Sequence, residues 1–180
     1  MLHAAIPNPK QRAMQNRLVK TLMEWQLANP LQHAKSTIIT NLIGFQFVAN
    51  AELQNIFSLQ VTINDITKDM LQVIIPAFIP KQLIKAPLGT KQIHLNIAVG
   101  SCSTTNGKNL QRINRQILIS YNNKTITSQT IELSLKKQPG TLTVAAISLS
   151  FWVKQRNSTA LIKIKQSAFS PAAIIYSVVN

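Results

Sequence analysis

The sequence predicts a mainly β protein: one antiparallel β-sandwich preceded by a single N-terminal amphipathic α-helix. Three observations carry that expectation. Apolar residues recur at every second position through most of the chain after Gly44, the period of a half-buried strand. Before it, Met14, Leu18, Leu22 and Trp25 recur at spacings of four, four and three, which stacks them on one helical face. The links between apolar runs are too short for the crossover helices that parallel neighbours require.

The helix is expected over residues 9–28. Asn8 suits the N-cap, and Pro9 suits the first helical position, where its missing N–H costs nothing. Asn29-Pro30 ends it, because proline disfavours helix in the residue before it. Lys10, Arg17 and Lys20 lie beside the apolar stripe and Arg12 farther round. Residues 31–43 admit two readings. Leu31 to Lys35 can add a helical turn, whereas Thr37-Ile38-Ile39-Thr40 is a β-branched run that favours extended chain. The boundary therefore falls near 37, giving a helical segment over 1–36 and a sandwich domain over 37–180.

Within the sandwich, Gly44 to Val48 alternates, and Leu59, Val61 and Ile63 share a side. Leu71 to Phe78 is nearly continuous apolar sequence and reads as a strand buried on both faces. Ile93, Leu95, Ile97 and Val99 alternate with Gln92, His94 and Asn96; Ile117, Ile119 and Tyr121 follow, then Ile131, Leu133 and Leu135 against Thr130, Glu132, Ser134 and Lys136. After Gly140, Leu142 and Val144 take one parity while Ile147, Leu149, Phe151 and Val153 take the other. That phase change predicts a β-bulge near Ala145-Ala146. Ile162 and Ile164 against Lys163 and Lys165 suggest a short edge strand guarded by lysines, and Ala173 to Val179 completes the set. Ser101 to Asn114 reads as the longest polar loop. Pro76, Pro80 and Pro87 cannot donate ladder hydrogen bonds and mark a crossing between sheets, with Gly89-Thr90 turning the chain into the next strand.

Composition bounds the rest. The 180 residues are 46% hydrophobic, enough for a real core, and no apolar run approaches a membrane span. Leu142 to Val153, the longest candidate, is interrupted by Thr143, Ser148 and Ser150. Met1 to Pro7 lacks the pattern of a secretory signal, so a cytoplasmic location is expected. The single Cys102 rules out a disulfide within one chain and reads as a small, half-buried strand or turn residue.

Catalysis is not expected, nor any cofactor or metal. Asp65 and Asp69 are the only neighbouring acids, and Asp65-Ile66-Thr67-Lys68-Asp69 reads as a turn capped by its own aspartates. His3, His33 and His94 stand in separate contexts without metal-ligand spacing. The glycines Gly89, Gly100, Gly107 and Gly140 are isolated and suit turns, not a phosphate-binding loop. Asn123-Lys124-Thr125 and Asn157-Ser158-Thr159 match the glycosylation acceptor pattern, which polar loops also produce by chance.

Charge is the strong deviation. Nineteen Lys and Arg stand against five Asp and Glu, a formal net charge of +14. Such a balance favours polyanions. The candidate contacts are Lys10, Arg12, Arg17 and Lys20 on the helix, with Arg112 and Arg115 on a second surface, joined by Lys124, Lys136 and Lys137. The plainer alternative is a solvated helix face with edge lysines that block strand pairing. Aromatic content of 6%, with no interleaving of aromatic and basic residues, argues against a base-stacking platform. The apolar helix stripe with Trp25 either packs on its own sandwich or docks on a neighbouring subunit, as an arm in a self-assembled structure does.

Pro7-Asn8-Pro9-Lys10-Gln11-Arg12-Ala13-Met14-Gln15-Asn16-Arg17, Gly44-Phe45-Gln46-Phe47, and Ile75-Pro76-Ala77-Phe78-Ile79-Pro80 with Ala86-Pro87-Leu88-Gly89-Thr90 together resemble a group of Bacteroidota proteins. The resemblance covers most of the chain. It implies an immunoglobulin- or fibronectin-like sandwich after an N-terminal helical region, a longer segment before that helix, a bacterial origin and no established activity. It supplies no functional residues. The expected function is a non-enzymatic structural or protein-interaction module of a bacterial or phage-derived assembly, partnered by protein or by itself. The alternative is a basic protein that binds nucleic acid or another polyanion, with no small-molecule substrate and no membrane span.

Overall fold

The computed structural model describes residues 12–28, 37–67, 69–106, 108–156, 158–166 and 169–180. In chain order the elements are α1 (Arg12–Ala28), β1 (Thr37–Ile38), a 3-10 turn at Thr40–Leu42, α2 (Leu53–Ile56), β2 (Thr62–Thr67) and β3 (Met70–Ile75). There follow α3 (Pro80–Leu83), β4 (Thr90–Ser103), β5 (Asn109–Ser120), β6 (Gln129–Ser134), β7 (Thr141–Lys154), β8 (Leu161–Lys163) and β9 (Ala172–Val179). The protein is mainly β, with two antiparallel sheets and one N-terminal helix. Asn8, Pro9 and Lys10, expected at the helix start, lie outside the described residues.

The larger sheet runs β1-β9-β7-β4-β5, with β8 on the free part of β7, and the smaller runs β2-β3-β6. Its centre is the antiparallel pair β4 and β7, 14 residues each. Residues directly opposite in this ladder share a face and sort into two cores. Val99 with Ala145, Ile97 with Ile147, Leu95 with Leu149 and Ile93 with Phe151 face the small sheet, where Leu71, Val73, Ile75 and Leu133 meet them. Ala98 with Ala146, and Val144 beside Gly100, face the other way. There they join Met14, Leu18, Leu22 and Trp25 of α1, the stripe expected from the sequence. Small residues at Ala98, Gly100, Ala146 and Ala172 leave room for the helix to lie close to the sheet. The layers are thus helix, large sheet, small sheet.

This arrangement explains the phase change in β7 and corrects its cause. The strand stays in register with β4 from Thr141 to Trp152, so it carries no extra residue. Its large side chains change face because the first part serves the helix-side core and the second serves the sandwich interior. A register shift does occur at Ala145-Ala146, but on the other side: Ala145 pairs Tyr176 and Ala146 pairs Ile174, leaving Ile175 as the bulged residue of β9.

Two other expectations give way. Ser101 to Asn114 is mostly strand, not loop, because β4 and β5 pair from Gln92 with Ser120 down to Cys102 with Asn109. Polar sequence hid it: Ser101 is fully buried despite its hydroxyl. Met70–Ile75 is buried at Leu71, Val73 and Ile75 but only half-buried at the alternate positions, so β3 has one core face.

The helix is fixed by more than its stripe. Arg17 donates from Nη2 to the carbonyl oxygen of Gln46 (3.1 Å), and its guanidinium lies 5.3 Å from the Phe45 ring centroid. The segment it grips meets β9 through an isolated bridge from Gln46 to Ala173 and is otherwise turn and bend, not the strand that the alternation from Gly44 to Val48 suggested. At the opposite edge, Gln111 of β5 donates from Nε2 to Ser134 O and accepts from Lys136 N–H, both at 3.0 Å, so one side-chain amide satisfies two backbone groups at the end of β6.

The register predicts a sharp contrast between two leucines on adjoining strands. Leu95→Ala, at a position with no exposure, should cost about 2–5 kcal/mol in urea unfolding. Leu118→Ala, 57% exposed, should stay within about 0.5 kcal/mol.

Candidate interaction surfaces

Three regions bear chemistry. The first is a polar clamp between the sheets. The phenol of Tyr176 on β9 donates to Asp65 Oδ1 on β2 at 2.8 Å, and the Lys137 ammonium, just beyond β6, pairs with the same oxygen. The bulge at Ile175 is what turns Tyr176 toward the small sheet, since one inserted residue moves every later side chain to the other face. The lysine side chain is 8% exposed and the aspartate 45%. The ammonium is therefore largely withdrawn from water while the carboxylate keeps some. Burial, reinforced by the Asp65 carboxylate that accepts its hydrogen bond, holds the Tyr176 phenol far above its ordinary value, so it remains a donor. Asp65 thus stands within a strand and holds two elements together, instead of capping a turn as the sequence suggested. At Asp69 the turn does appear: its N–H is donated to Thr67 Oγ1 at 3.3 Å.

The second region is the end of the sandwich where β4 begins and β7 finishes. Tyr121 N–H donates to Lys91 O, Lys81 N–H to Asn122 O, and the Tyr121 hydroxyl to Ile84 O, which ties α3 and the turn after β5 to the start of β4. Thr90 pairs Val153, and Trp152 pairs Lys163. Lys81, Lys85, Lys91, Lys124, Lys154, Arg156, Lys163 and Lys165 are therefore gathered at one end, all exposed. Lys91 is the unpaired residue in a register shift between Thr90 and Gln92. A shallow depression of about 600 Å³ at the β7–β8 turn is lined by Lys154, Gln155, Arg156, Ser158 and Thr159, cations and hydroxyls of the kind that receive phosphate oxygens. None of these cations forms an ion pair among the described residues. The only ion pairs among the described residues are Lys137–Asp65 and Lys20–Glu24.

His94 borders the same end. Its ring stacks on Trp152 with centroids 4.6 Å apart and planes 24° apart. Burial first, and then the Lys163 charge, lower its pKa, so the imidazole is neutral at physiological pH.

The third region is a cleft of about 1070 Å³ between the C-terminal half of α1 and the opposite end of the large sheet. Leu22, Trp25 and Leu27 form one wall, Ile39, Leu142 and Val179 another, and Cys102 to Thr105 the rim. Burial raises the Cys102 thiol, which disfavours the nucleophilic thiolate. Along α1, Val19, Met23 and Leu27 recur every four residues with exposures of 53%, 60% and 82%, and the last two also border this cleft.

Of the six basic residues singled out from the sequence, the five described ones lie on α1 and β5. Lys10 lies outside the described residues. Arg12 is exposed, Arg17 is engaged with the Gln46 carbonyl, and Lys20 sits 3.8 Å from Glu24. Arg112 and Arg115 share β5 but lie opposite Gly100 and Ile97, hence on opposite faces of the sheet. The basic end was missed because its members are far apart in sequence and meet only through strand pairing. Among the described residues, no three His, Cys, Asp or Glu side chains come together as metal ligands do, and no helix is long and apolar enough to cross a membrane.

No protein-family model matches this chain, and no curated protein matches it.

The clamp gives a direct expectation. Asp65→Asn leaves the Lys137 ammonium without its counter-ion and should destabilise the protein by about 1–3 kcal/mol, discounted for the half-exposed carboxylate. Tyr176→Phe should cost about 1 kcal/mol in the same urea titration.

Proposed function

We propose that the protein is a non-enzymatic structural or interaction module of a bacterial or phage-derived assembly. In this reading it meets a protein partner, or another copy of itself, through the outer face of α1. The observation that carries it is the second apolar stripe, Val19, Met23 and Leu27. The inner stripe already docks the helix on its own sheet, and these three residues are left more than half exposed. Anchors at i, i+4 and i+8 are what one helix offers to a groove or to a second helix. The neighbouring cleft extends the same apolar surface around the helix. The Bacteroidota resemblance is part of this proposal.

The test is mass against concentration by light scattering or sedimentation. A mass that rises with concentration is expected, and Met23→Lys with Leu27→Lys should weaken association at least about tenfold. Both residues are exposed, so thermal unfolding should hardly change. A protein monomeric at every concentration would remove self-association, and capture of partners unaffected by the double variant would remove the helix face.

A second reading, attachment to a polyanion, is favoured by the uncompensated cations where β4 begins. Charge-driven attachment there should weaken steeply as salt rises. Lys91→Gln with Lys154→Gln should flatten that dependence, whereas Arg112→Gln with Arg115→Gln should change it less. The reverse order would place the contact on β5.

A further inference from the structure

We propose that the basic end docks on an anionic lipid surface, with Leu88 entering the boundary between headgroups and acyl chains while the surrounding lysines hold headgroup phosphates. This rests on the polyanion reading and gives its ligand a class. Leu88 is 102% exposed, the most exposed apolar residue described. It stands at the tip of a four-residue turn, Pro87 to Thr90, closed by Thr90 N–H and Thr90 Oγ1, which both donate to Pro87 O at 3.2 and 2.7 Å. Gly89 takes a φ of +81°, the left-handed value that the third position of a type II turn demands. Two hydrogen bonds and a proline thus hold the leucine in water, where a polar residue would serve the turn equally well.

Its surroundings match an anionic surface. Thr90 pairs Val153 and Val153 pairs Ile162, so Lys154 and the 48%-exposed Ile162 lie beside the turn. Lys85 and Lys91 flank it along the chain. Apolar tips inside a lysine ring fit a bilayer boundary, where apolar insertion and headgroup attraction add. Nucleic acid fits less well. Base stacking needs open aromatic faces, and Trp152 is already covered by His94. The cations flanking the turn, Lys85, Lys91 and Lys154, are lysines, point charges suited to a diffuse negative field more than to bidentate contacts.

The full chain is sedimented with phosphatidylcholine vesicles, with vesicles that also contain phosphatidylglycerol, and titrated separately with a DNA duplex. Binding is expected only to the anionic vesicles among the two. Leu88→Ser should reduce vesicle affinity about tenfold and leave DNA affinity unchanged, with an unaltered thermal midpoint as the check on folding. Lys91→Gln with Lys154→Gln should lower affinity for both, by about fivefold per lysine on vesicles. DNA binding without vesicle binding, or vesicle binding indifferent to Leu88→Ser, overturns the lipid assignment and leaves the polyanion reading standing. Binding to neither ligand removes both.

Discussion

The ladder between β4 and β7 is the constraint on which everything else hangs. Two 14-residue strands lie side by side with apolar residues on both faces. Such a pair cannot face water on either side without losing the burial that stabilises it, at about 25 cal/mol per Å² of apolar surface. One face is covered by the small sheet and the other by α1. The helix is therefore a layer of the fold, and its small-residue footprint on the sheet reflects that.

Covering both faces leaves the sides and ends of the sandwich to be closed by polar groups. Gln111 bridges β5 to the open edge of β6, and the Lys137–Asp65–Tyr176 group joins β2 to β9. These contacts are few and directional, and they fix how the sheets sit on each other where apolar packing alone would let them slide. The bulge at Ile175 belongs to the same logic. It allows β9 to pair with β7 while sending Tyr176 to Asp65.

Charge follows a different rule. The scaffold consumes some of its cations: Arg17 ties α1 down and Lys137 is paired within the clamp. Those at the start of β4 take no part in holding the fold together and are not offset by acids. Repulsion among them opposes folding slightly. The exposed stripe of α1 is the apolar counterpart. Each surface carries groups that the scaffold does not use.

The sequence by itself determined the local periods. The stripe from Met14 to Trp25, the alternation from Ile93 to Val99 and the turn at Gly89 are written in neighbouring residues, because helix and strand geometry act over a few positions. It also fixed the excess of positive charge. Tertiary structure decided what depends on pairing between distant residues. Only the β4–β7 register shows that Val144 and Ile147 serve different cores, and only β9 reveals where the extra residue lies. Asp65 looked like a turn aspartate until β9 brought Tyr176 to it. Lys81, Lys91, Lys124, Lys154 and Lys163 share one end because antiparallel strands return distant segments to it, a relation that spacing along the chain does not encode.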